Sequence, residues 1–429
     1  MTNSIPFPPA RKPGGFSRSK SPWLLLLLSL MLASPVSLFA DKKKKKDAEA
    51  PKAPPVIDYS NIVWPNPPAI ARIRYTTWYA AEQISQVEKP KTKKDSWMDR
   101  LAGTQPATEN NKFLFQLGEP YGLAVDSKGS VYVADQKVGA VFIFNTETRA
   151  VELIKNKVHG HFVRIIGLAM DDNDRLFVSD PGLRHIMVFN AKHEAEDVIT
   201  EGLVNPGGMA LDRENRLLYV CDIEQDQVLV YDADSLKLKR RIGSAGTKHA
   251  STKPGDFARP AGVAVDKEGN VYVADTLNDR IEIFDGDGNF VNMFGKAGDG
   301  PGYFSRPKGV AIDSDGHIWV TDGMQDRVQV FMPDFQLCIS FGGHGLLPGM
   351  FQGITGIYID KQNRVFTSEI FPGRVQQFRY VTDAEAEKLQ KEKDASREKR
   401  AASPAGNSNQ EIVPITPPPA PQGSSPQSK

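Results

Sequence analysis

The feature that most constrains this chain is a sixteen-residue segment that it repeats six times. In the clearest copy, residues 260–275 read PAGVAVDKEGNVYVAD. Valines at alternate positions in each half predict two short strands, each with one face buried. The segment between them, Asp266–Gly269, predicts a tight reversal, because Asp hydrogen-bonds its own backbone and Gly adopts positive φ. A hairpin this short cannot bury its apolar faces alone, so the copies must pack on one another.

The copies keep a common register along the chain. The Asp that ends the first strand recurs at spacings of 45, 41, 54, 47 and 47 residues: Asp126, Asp171, Asp212, Asp266, Asp313 and Asp360. Three residues later stands a residue that tolerates the left-handed region: Gly129, Asp174, Asn215, Gly269, Gly316 and Asn363. A third strand pattern follows every hairpin, and a fourth follows most. Four strands per repeat at this period predict an all-β fold, a six-bladed β-propeller of four-stranded blades.

The repeat resembles the NHL repeat of six-bladed β-propellers. The resemblance is carried by the Pro-x-Gly-Val-Ala-Val-Asp and Val-Tyr-Val-Ala-Asp patterns, followed by NDRIEIFD at residues 278–285. It covers residues 113–380 and is strongest in the fourth and fifth copies. It implies the exported bacterial type of this propeller, and it identifies the fold better than the function, since one fold hosts many activities.

The sixth copy ends at Tyr380 without a fourth strand of its own. Residues 70–79 alternate in the manner of a strand, and we expect them to pair with the last blade and close the ring. Closure of this kind removes the exposed edge that a propeller otherwise leaves. The propeller is therefore expected over residues 70–380, with an insertion at 81–112 between the closing strand and the first blade.

The ends of the chain have different compositions. Residues 1–40 combine basic residues with an apolar run, which predicts a signal peptide cleaved after Ala40 or, alternatively, an uncleaved membrane anchor. Either places the propeller in the periplasm or outside the cell. Residues 41–69 read as a Lys/Pro-rich linker, and residues 381–429 as a charged, helix-compatible segment followed by a disordered Pro/Ser-rich tail.

Charge separates the propeller from its N-terminal arm. Residues 113–380 carry 28 Lys and Arg against 36 Asp and Glu, whereas residues 1–112 carry 18 against 9. An acidic propeller argues against nucleic-acid binding, which needs a basic face to neutralise phosphates. The basic arm is compatible with weak contact to an anionic membrane surface.

The acids that end the second strands are the candidate metal ligands. They recur once in every blade: Asp135, Asp180, Asp222, Asp275, Asp322 and Glu369. One interpretation is a ring of carboxylates at one mouth of the channel that holds Ca²⁺ or Zn²⁺. The favoured one is a turn brace that accepts backbone N–H bonds, helped by an arginine in three copies, Arg280, Arg327 and Arg374. No cofactor is predicted.

The sequence constrains the function of this chain less than it constrains the fold. Some propellers of the NHL type are lyases or lactonases with a metal at the channel mouth, but the chain shows no Gly-x-Ser-x-Gly motif and no repeated His. We expect an extracytoplasmic binding or scaffold protein that uses one face of the ring for protein–protein or ligand interaction, with an envelope protein as the expected partner. The alternative is a metal-dependent lyase or hydrolase, lactonase-like, at the channel mouth. The partner-binding candidates lie in a short helix pattern of the insertion: Trp97, Met98, Arg100 and Leu101.

Overall fold

A computed structural model shows a six-bladed β-propeller followed by one C-terminal helix. The structure describes residues 58–81, 116–155, 162–243, 249 and 251–402. The fold class predicted from the repeats is confirmed. Within those residues, the helices are too short or too polar for any to cross a membrane.

The first three blades are each a four-stranded antiparallel sheet. Blade one consists of β3 (Pro120–Val125), β4 (Val131–Asp135), β5 (Ala140–Phe144) and β6 (Val151–Ile154). Blade two consists of β7 (Leu168–Met170), β8 (Leu176–Asp180), β9 (His185–Phe189) and β10 (Ala195–Ile199). Blade three consists of β11 (Pro206–Asp212), β12 (Leu217–Asp222), β13 (Gln227–Asp232) and β14 (Leu238–Ile242).

The other three blades follow the same order. Blade four consists of β15 (Pro260–Val265), β16 (Val271–Asp275), β17 (Arg280–Phe284) and β18 (Phe290–Phe294). Blade five consists of β19 (Pro307–Ile312), β20 (Ile318–Asp322), β21 (Arg327–Phe331) and β22 (Leu337–Gly342). Blade six consists of β23 (Ile354–Ile359), β24 (Arg364–Glu369) and β25 (Arg374–Tyr380), completed by β1 (Val63–Trp64) and β2 (Ile73–Tyr79).

The predicted closing strand is present. Strand β2 pairs antiparallel with β25, Ile73 opposite Tyr380 and Tyr79 opposite Val375. The linker predicted over residues 41–69 ends earlier than expected, because Val63 and Trp64 form a fifth strand on the outer edge of β2. Trp64 packs its ring 5.0 Å from that of Phe341, so its burial joins this short strand to the propeller.

The hairpin turns follow the predicted chemistry in five blades. The residue expected in the left-handed region has positive φ in every blade except the third, where Arg216 (φ 54°) takes this role instead of Asn215. The reason is one additional residue: Leu211 pairs with Leu218, and Asp212 and Asp222 are ten apart, whereas the corresponding acids of the other blades are nine apart.

The hydrophobic core is divided into six layers, one between each pair of neighbouring blades. Alternation along a strand sends successive side chains to different layers. In β3, Leu123 and Val125 pack toward blade six, whereas Ala124 packs toward blade two. Each blade is therefore stabilised by both neighbours, and the closing strand contributes Ile73 and Tyr75 to the layer between blades five and six.

The innermost strands meet in a ring of six glycines near their beginnings. These glycines are Gly122, Gly167, Gly208, Gly262, Gly309 and Gly356. A Cβ at five of them would lie 2.2–2.5 Å from a carbonyl oxygen of the next blade, a distance that real Cβ atoms do not reach. At Gly309 it would lie 3.1 Å from the Ile357 nitrogen. The Gly of Pro-x-Gly is therefore required for close approach of backbones.

Hydroxyl groups link some of these strands across the ring. Ser179 Oγ accepts a hydrogen bond from the Gly167 N–H (2.7 Å) and donates one to the Gly207 carbonyl of the next blade (2.8 Å). Ser368 makes the equivalent pair with Gly356 and Tyr121, from blade six to blade one. One short side chain thus satisfies polar groups of two blades.

Helix α1 (Asp383–Ala402) follows the last blade directly. It begins with a reciprocal capping box, in which the Glu385 N–H donates to Thr382 Oγ1 (3.2 Å) and the Thr382 N–H donates to Glu385 Oε2 (3.0 Å). Arg72 pairs with Asp383, which connects the helix start to the closing strand segment.

The closing strand provides a test of ring closure. Ile73→Ala removes a fully buried side chain and should lower the free energy of unfolding by about 2–5 kcal/mol. The neighbouring Arg74 is exposed, and Arg74→Ala should change it by less than about 0.5 kcal/mol. Chemical denaturation measures both. Equal effects would show that β2 is not part of the core.

The glycine ring provides a second test. Gly262→Ala places a methyl group 2.5 Å from the Lys308 carbonyl oxygen and should cost about 1–3 kcal/mol or more in stability. Gly286→Ala, where the nearest atom is 3.6 Å away, should be close to neutral. Thermal unfolding of the two variants measures the difference, and an unperturbed Gly262→Ala would mean that the blades are not in close contact there.

Candidate functional site

A channel runs along the axis of the ring, and the first strands of all six blades form its wall. The cavity has a volume of about 310 Å³. Its interior is aliphatic, with one tier made by Leu123, Leu168, Met209, Val263, Val310 and Ile357. In the described part of the chain, Arg213 and Lys308 are the charged residues of its lining, one toward each end.

Arg213 closes the end of the channel at which the first strands finish. It extends from blade three, and its Nη2 donates to Tyr358 Oη of blade six, directly opposite, at 3.3 Å, and to the Met170 carbonyl at 3.4 Å. Its Nε lies 3.3 Å from Asp172 Oδ1, which also accepts from Lys361 Nζ at 3.1 Å. These contacts join blades two, three and six across the axis.

The other end of the channel opens between the residues that flank the start of each first strand. They are the third and the first residue before each ring glycine: Glu119 and Tyr121, Arg164 and Ile166, Asn205 and Gly207, Arg259 and Ala261, Arg306 and Lys308, Gly353 and Thr355. Four of these twelve positions are cationic and one is acidic. These twelve positions therefore carry a net positive charge although the propeller is acidic overall.

Lys308 is the cation of this mouth that lines the channel itself. Arg164 donates to Asn205 Oδ1 at 3.4 Å, whereas Lys308 makes no hydrogen bond or ion pair with any other described residue. Its side chain is half-buried, and burial, followed by the charges of Arg306 and Arg259, lowers the pKa of its ammonium group. The Asp322 carboxylate opposes this shift without contacting the ammonium group.

The strand-end acids lie at this same end of the blades but do not line the mouth. All six are between 0 and 1% exposed. Asp180 is representative: it accepts backbone hydrogen bonds from Val163 (2.7 Å) and Arg164 (3.1 Å) before the first strand and from Leu183 (3.2 Å) after its own strand. These bonds agree with the turn-brace interpretation and extend it to the connection from the preceding blade.

The arginines of three copies brace the same connections. Arg280 pairs with Asp275 (3.0 Å) and donates to three connection carbonyls, those of Thr252, Lys253 and Asp256. Arg374 pairs with Glu369 and likewise donates to the carbonyls of Leu346, Leu347 and Met350. The expected pairing is wrong for Arg327, which donates instead to the Asp299 carbonyl at 2.6 Å.

The six strand-end acids do not fit a metal site. Their oxygens accept backbone N–H bonds or pair with arginine, and none of the six acids is among the residues that line the channel. Within the residues that the structure describes, no group of three His, Cys, Asp or Glu side chains is arranged to hold a metal ion.

One face of the propeller carries most of the exposed large apolar side chains. We call it the connection face, because it contains the connections between blades and the turns between second and third strands. It presents Val138, Val163, Leu183, Met324, Leu346, Leu347 and Phe371. Among the described residues, the opposite face presents only Met332. The seven residues lie on blades five, six, one and two, and we refer to them as the apolar arc.

The predicted partner-binding residues, Trp97, Met98, Arg100 and Leu101, lie outside the described residues. Sequence reasoning missed Lys308, Arg213 and Tyr358. The cations of the mouth could have been found by comparing the positions that precede the ring glycine in all copies. Nothing in the sequence indicates that Arg213 and Tyr358 meet, because their contact depends on the diameter of the closed ring.

Comparison with known proteins agrees with the fold. Residues 94–297 match the family model described as SMP-30/Gluconolactonase/LRE-like region, and residues 263–338 match a model described as 6-bladed beta-propeller. NHL repeat-containing protein 2 of Gallus gallus is 33% identical over 102 residues, 22% of this chain and 14% of that protein. Protein brain tumor of Drosophila melanogaster is 50% identical over 44 residues, 10% of this chain and 4% of that protein.

Solved structures with a similar fold include two enzymes. A gluconolactonase from Xanthomonas campestris is 21% identical, with a TM-score of 0.47 over 62% of this chain and 87% of that one. Virginiamycin B lyase from Staphylococcus aureus is 11% identical, with a TM-score of 0.45 over 62% of this chain and 96% of that one.

The bracing role of the acids can be tested in blade two. Asp180→Ala leaves the Val163 and Arg164 N–H groups without their acceptor, whereas the Leu183 N–H keeps the Asp180 backbone carbonyl. The substitution should lower the free energy of unfolding by at least about 2 kcal/mol. Asp287, whose side chain is 86% exposed, is the matched control, and Asp287→Ala should be nearly neutral in the same denaturation experiment. If Asp180→Ala were as stable as the unsubstituted protein, the Asp180 carboxylate would not be a structural brace.

Proposed function

Because the chain is an NHL-repeat homologue built as a six-bladed β-propeller, we propose that it is a binding protein whose connection face docks a partner protein. The apolar arc is the observation that carries this proposal. Leu347 is 73% exposed and Met324 71%, and the other five residues of the arc on blades six, one and two are also exposed. Adjacent apolar side chains concentrated on one face are typical of an interaction surface.

The backbone beneath the arc is held in place. Arg374 donates to the carbonyls of Leu346 and Leu347, and Glu369 accepts from Arg374 in turn. The two leucines therefore project from a braced turn. A surface fixed before binding loses less conformational entropy when a partner docks, which favours affinity.

The proposed partner is an envelope protein. The support is the sequence of residues 1–40, whose basic start and apolar run resemble an export signal or anchor and would place the propeller in the periplasm or outside the cell. Trp97, Met98, Arg100 and Leu101 are proposed as further partner contacts, and the basic arm as a weak contact to the membrane surface.

The second candidate is a lactonase-like hydrolase or lyase that uses a metal at the channel mouth. The match of residues 94–297 to the gluconolactonase-type family model favours it. Assay of purified protein against a panel of lactones, with and without Ca²⁺, Zn²⁺ or Mn²⁺, tests it. Lactone turnover that depends on added metal and is abolished by substitution of a residue at the mouth, such as Lys308, would favour the enzyme.

The docking proposal can be tested by site-specific photo-crosslinking in native cells. A photoreactive residue at Leu347 or Phe371 should give the same discrete product with one partner. The same residue at Val291, which is also exposed but lies on the outer strand of blade four, should not. With the purified partner, Leu347→Glu should weaken binding at least tenfold and Val291→Glu less than twofold.

Two results would contradict the docking proposal. One is equal crosslinking from all three positions, which would indicate random collisions. The other is crosslinking only to further copies of the same chain, which would make the apolar arc a contact between copies.

A further inference from the structure

The channel has the features of a ligand site that is separate from the apolar arc. It is closed at one end by Arg213 and Tyr358, which meet across the axis, and it opens at the other end on the connection face. Between the two ends its wall is aliphatic. A narrow aliphatic interior with one open mouth suits a ligand whose apolar part enters first.

The mouth has a polar half and an apolar half. Lys308, Thr355 and Tyr121 occupy equivalent positions on the consecutive blades five, six and one. On the opposite half the same position is filled by Ile166 in blade two and Ala261 in blade four. The polar donors are thus gathered on one side of an apolar opening.

Two donors of the polar half have no acceptor among the residues that the structure describes. Thr355 Oγ1 donates to the Pro120 carbonyl at 2.9 Å, so it is already satisfied. The Lys308 ammonium group and the Tyr121 hydroxyl have no hydrogen-bond partner among the described residues. The half-buried ammonium group lies near the charges of Arg306 and Arg259, and no carboxylate of the described residues reaches it. A bound anion would compensate this charge.

We propose that the channel binds an aliphatic carboxylate, with the carboxylate group at Lys308 and Tyr121 and the hydrocarbon chain in the aliphatic interior. Lys308 supplies the charge-assisted bond and Tyr121 a second donor. The tier of aliphatic wall residues, which includes Leu123 and Ile357, removes the hydrocarbon chain of the ligand from water. Ligands with longer hydrocarbon chains should therefore bind more tightly until the cavity of about 310 Å³ is filled. This site is independent of the proposed docking of a protein on the apolar arc.

Calorimetric titration of the full chain with hexanoate, octanoate and decanoate, below their micelle concentrations, tests the proposal. Affinity should rise roughly fourfold for each added methylene. Decanoate should bind at least tenfold more tightly than decanol, because only the carboxylate compensates Lys308. Lys308→Met should remove this preference, Lys308→Arg should retain most of it, and Lys267→Met, on an exposed hairpin, should leave it unchanged.

The experiment must distinguish loss of the carboxylate site from loss of folding and from failure of the docking proposal. Lys308 has no ion pair with a described residue, so Lys308→Met should fold normally, and a thermal melt checks this. Absence of decanoate binding, equal binding by Lys308→Met, or equal binding of decanol would each overturn the proposal. Leu347→Glu should leave decanoate affinity unchanged, so failure of the docking proposal and failure of this one are distinguishable.

Discussion

The close approach of the six first strands at the glycine ring is the constraint on which the structure depends. At most of these glycines the next blade's carbonyl oxygen occupies the space that a Cβ would need. The blades therefore meet backbone to backbone at this ring, and the hydroxyls of Ser179 and Ser368 each bond to their own blade and to the next one. The six core layers pack outward from this fixed centre.

The strand-end acids and their arginines extend the same constraint to the connection face. Asp180 accepts bonds from both a connection and a turn, and Glu369 holds the arginine that orders Leu346 and Leu347. Because the strand-end acid of every blade accepts hydrogen bonds in this way, these repeated residues hold the connections and turns in place. The side chains that differ between blades, such as Lys308 against Ala261, are the ones free to determine recognition.

The sequence predicts the repeated part of this molecule and little of the rest. Turn chemistry identified each hairpin, and the missing fourth strand after Tyr380 identified the closing strand. The shift from Asn215 to Arg216 was readable in the ten-residue spacing of blade three, but the prolines around Val63–Trp64 concealed a strand. The contact between Arg213 and Tyr358 joins opposite blades, and no local pattern specifies it.

Both proposed sites lie on the connection face for a physical reason. The opposite face consists of tight hairpins whose length is fixed by Asp and a left-handed residue, and Arg213 closes the channel there. Connections between blades carry no such restriction, and the spacing between copies varies from 41 to 54 residues. The arc runs over blades five, six, one and two of this face, but none of its residues lines the channel, so a docked partner and a bound carboxylate would use different side chains of the same face.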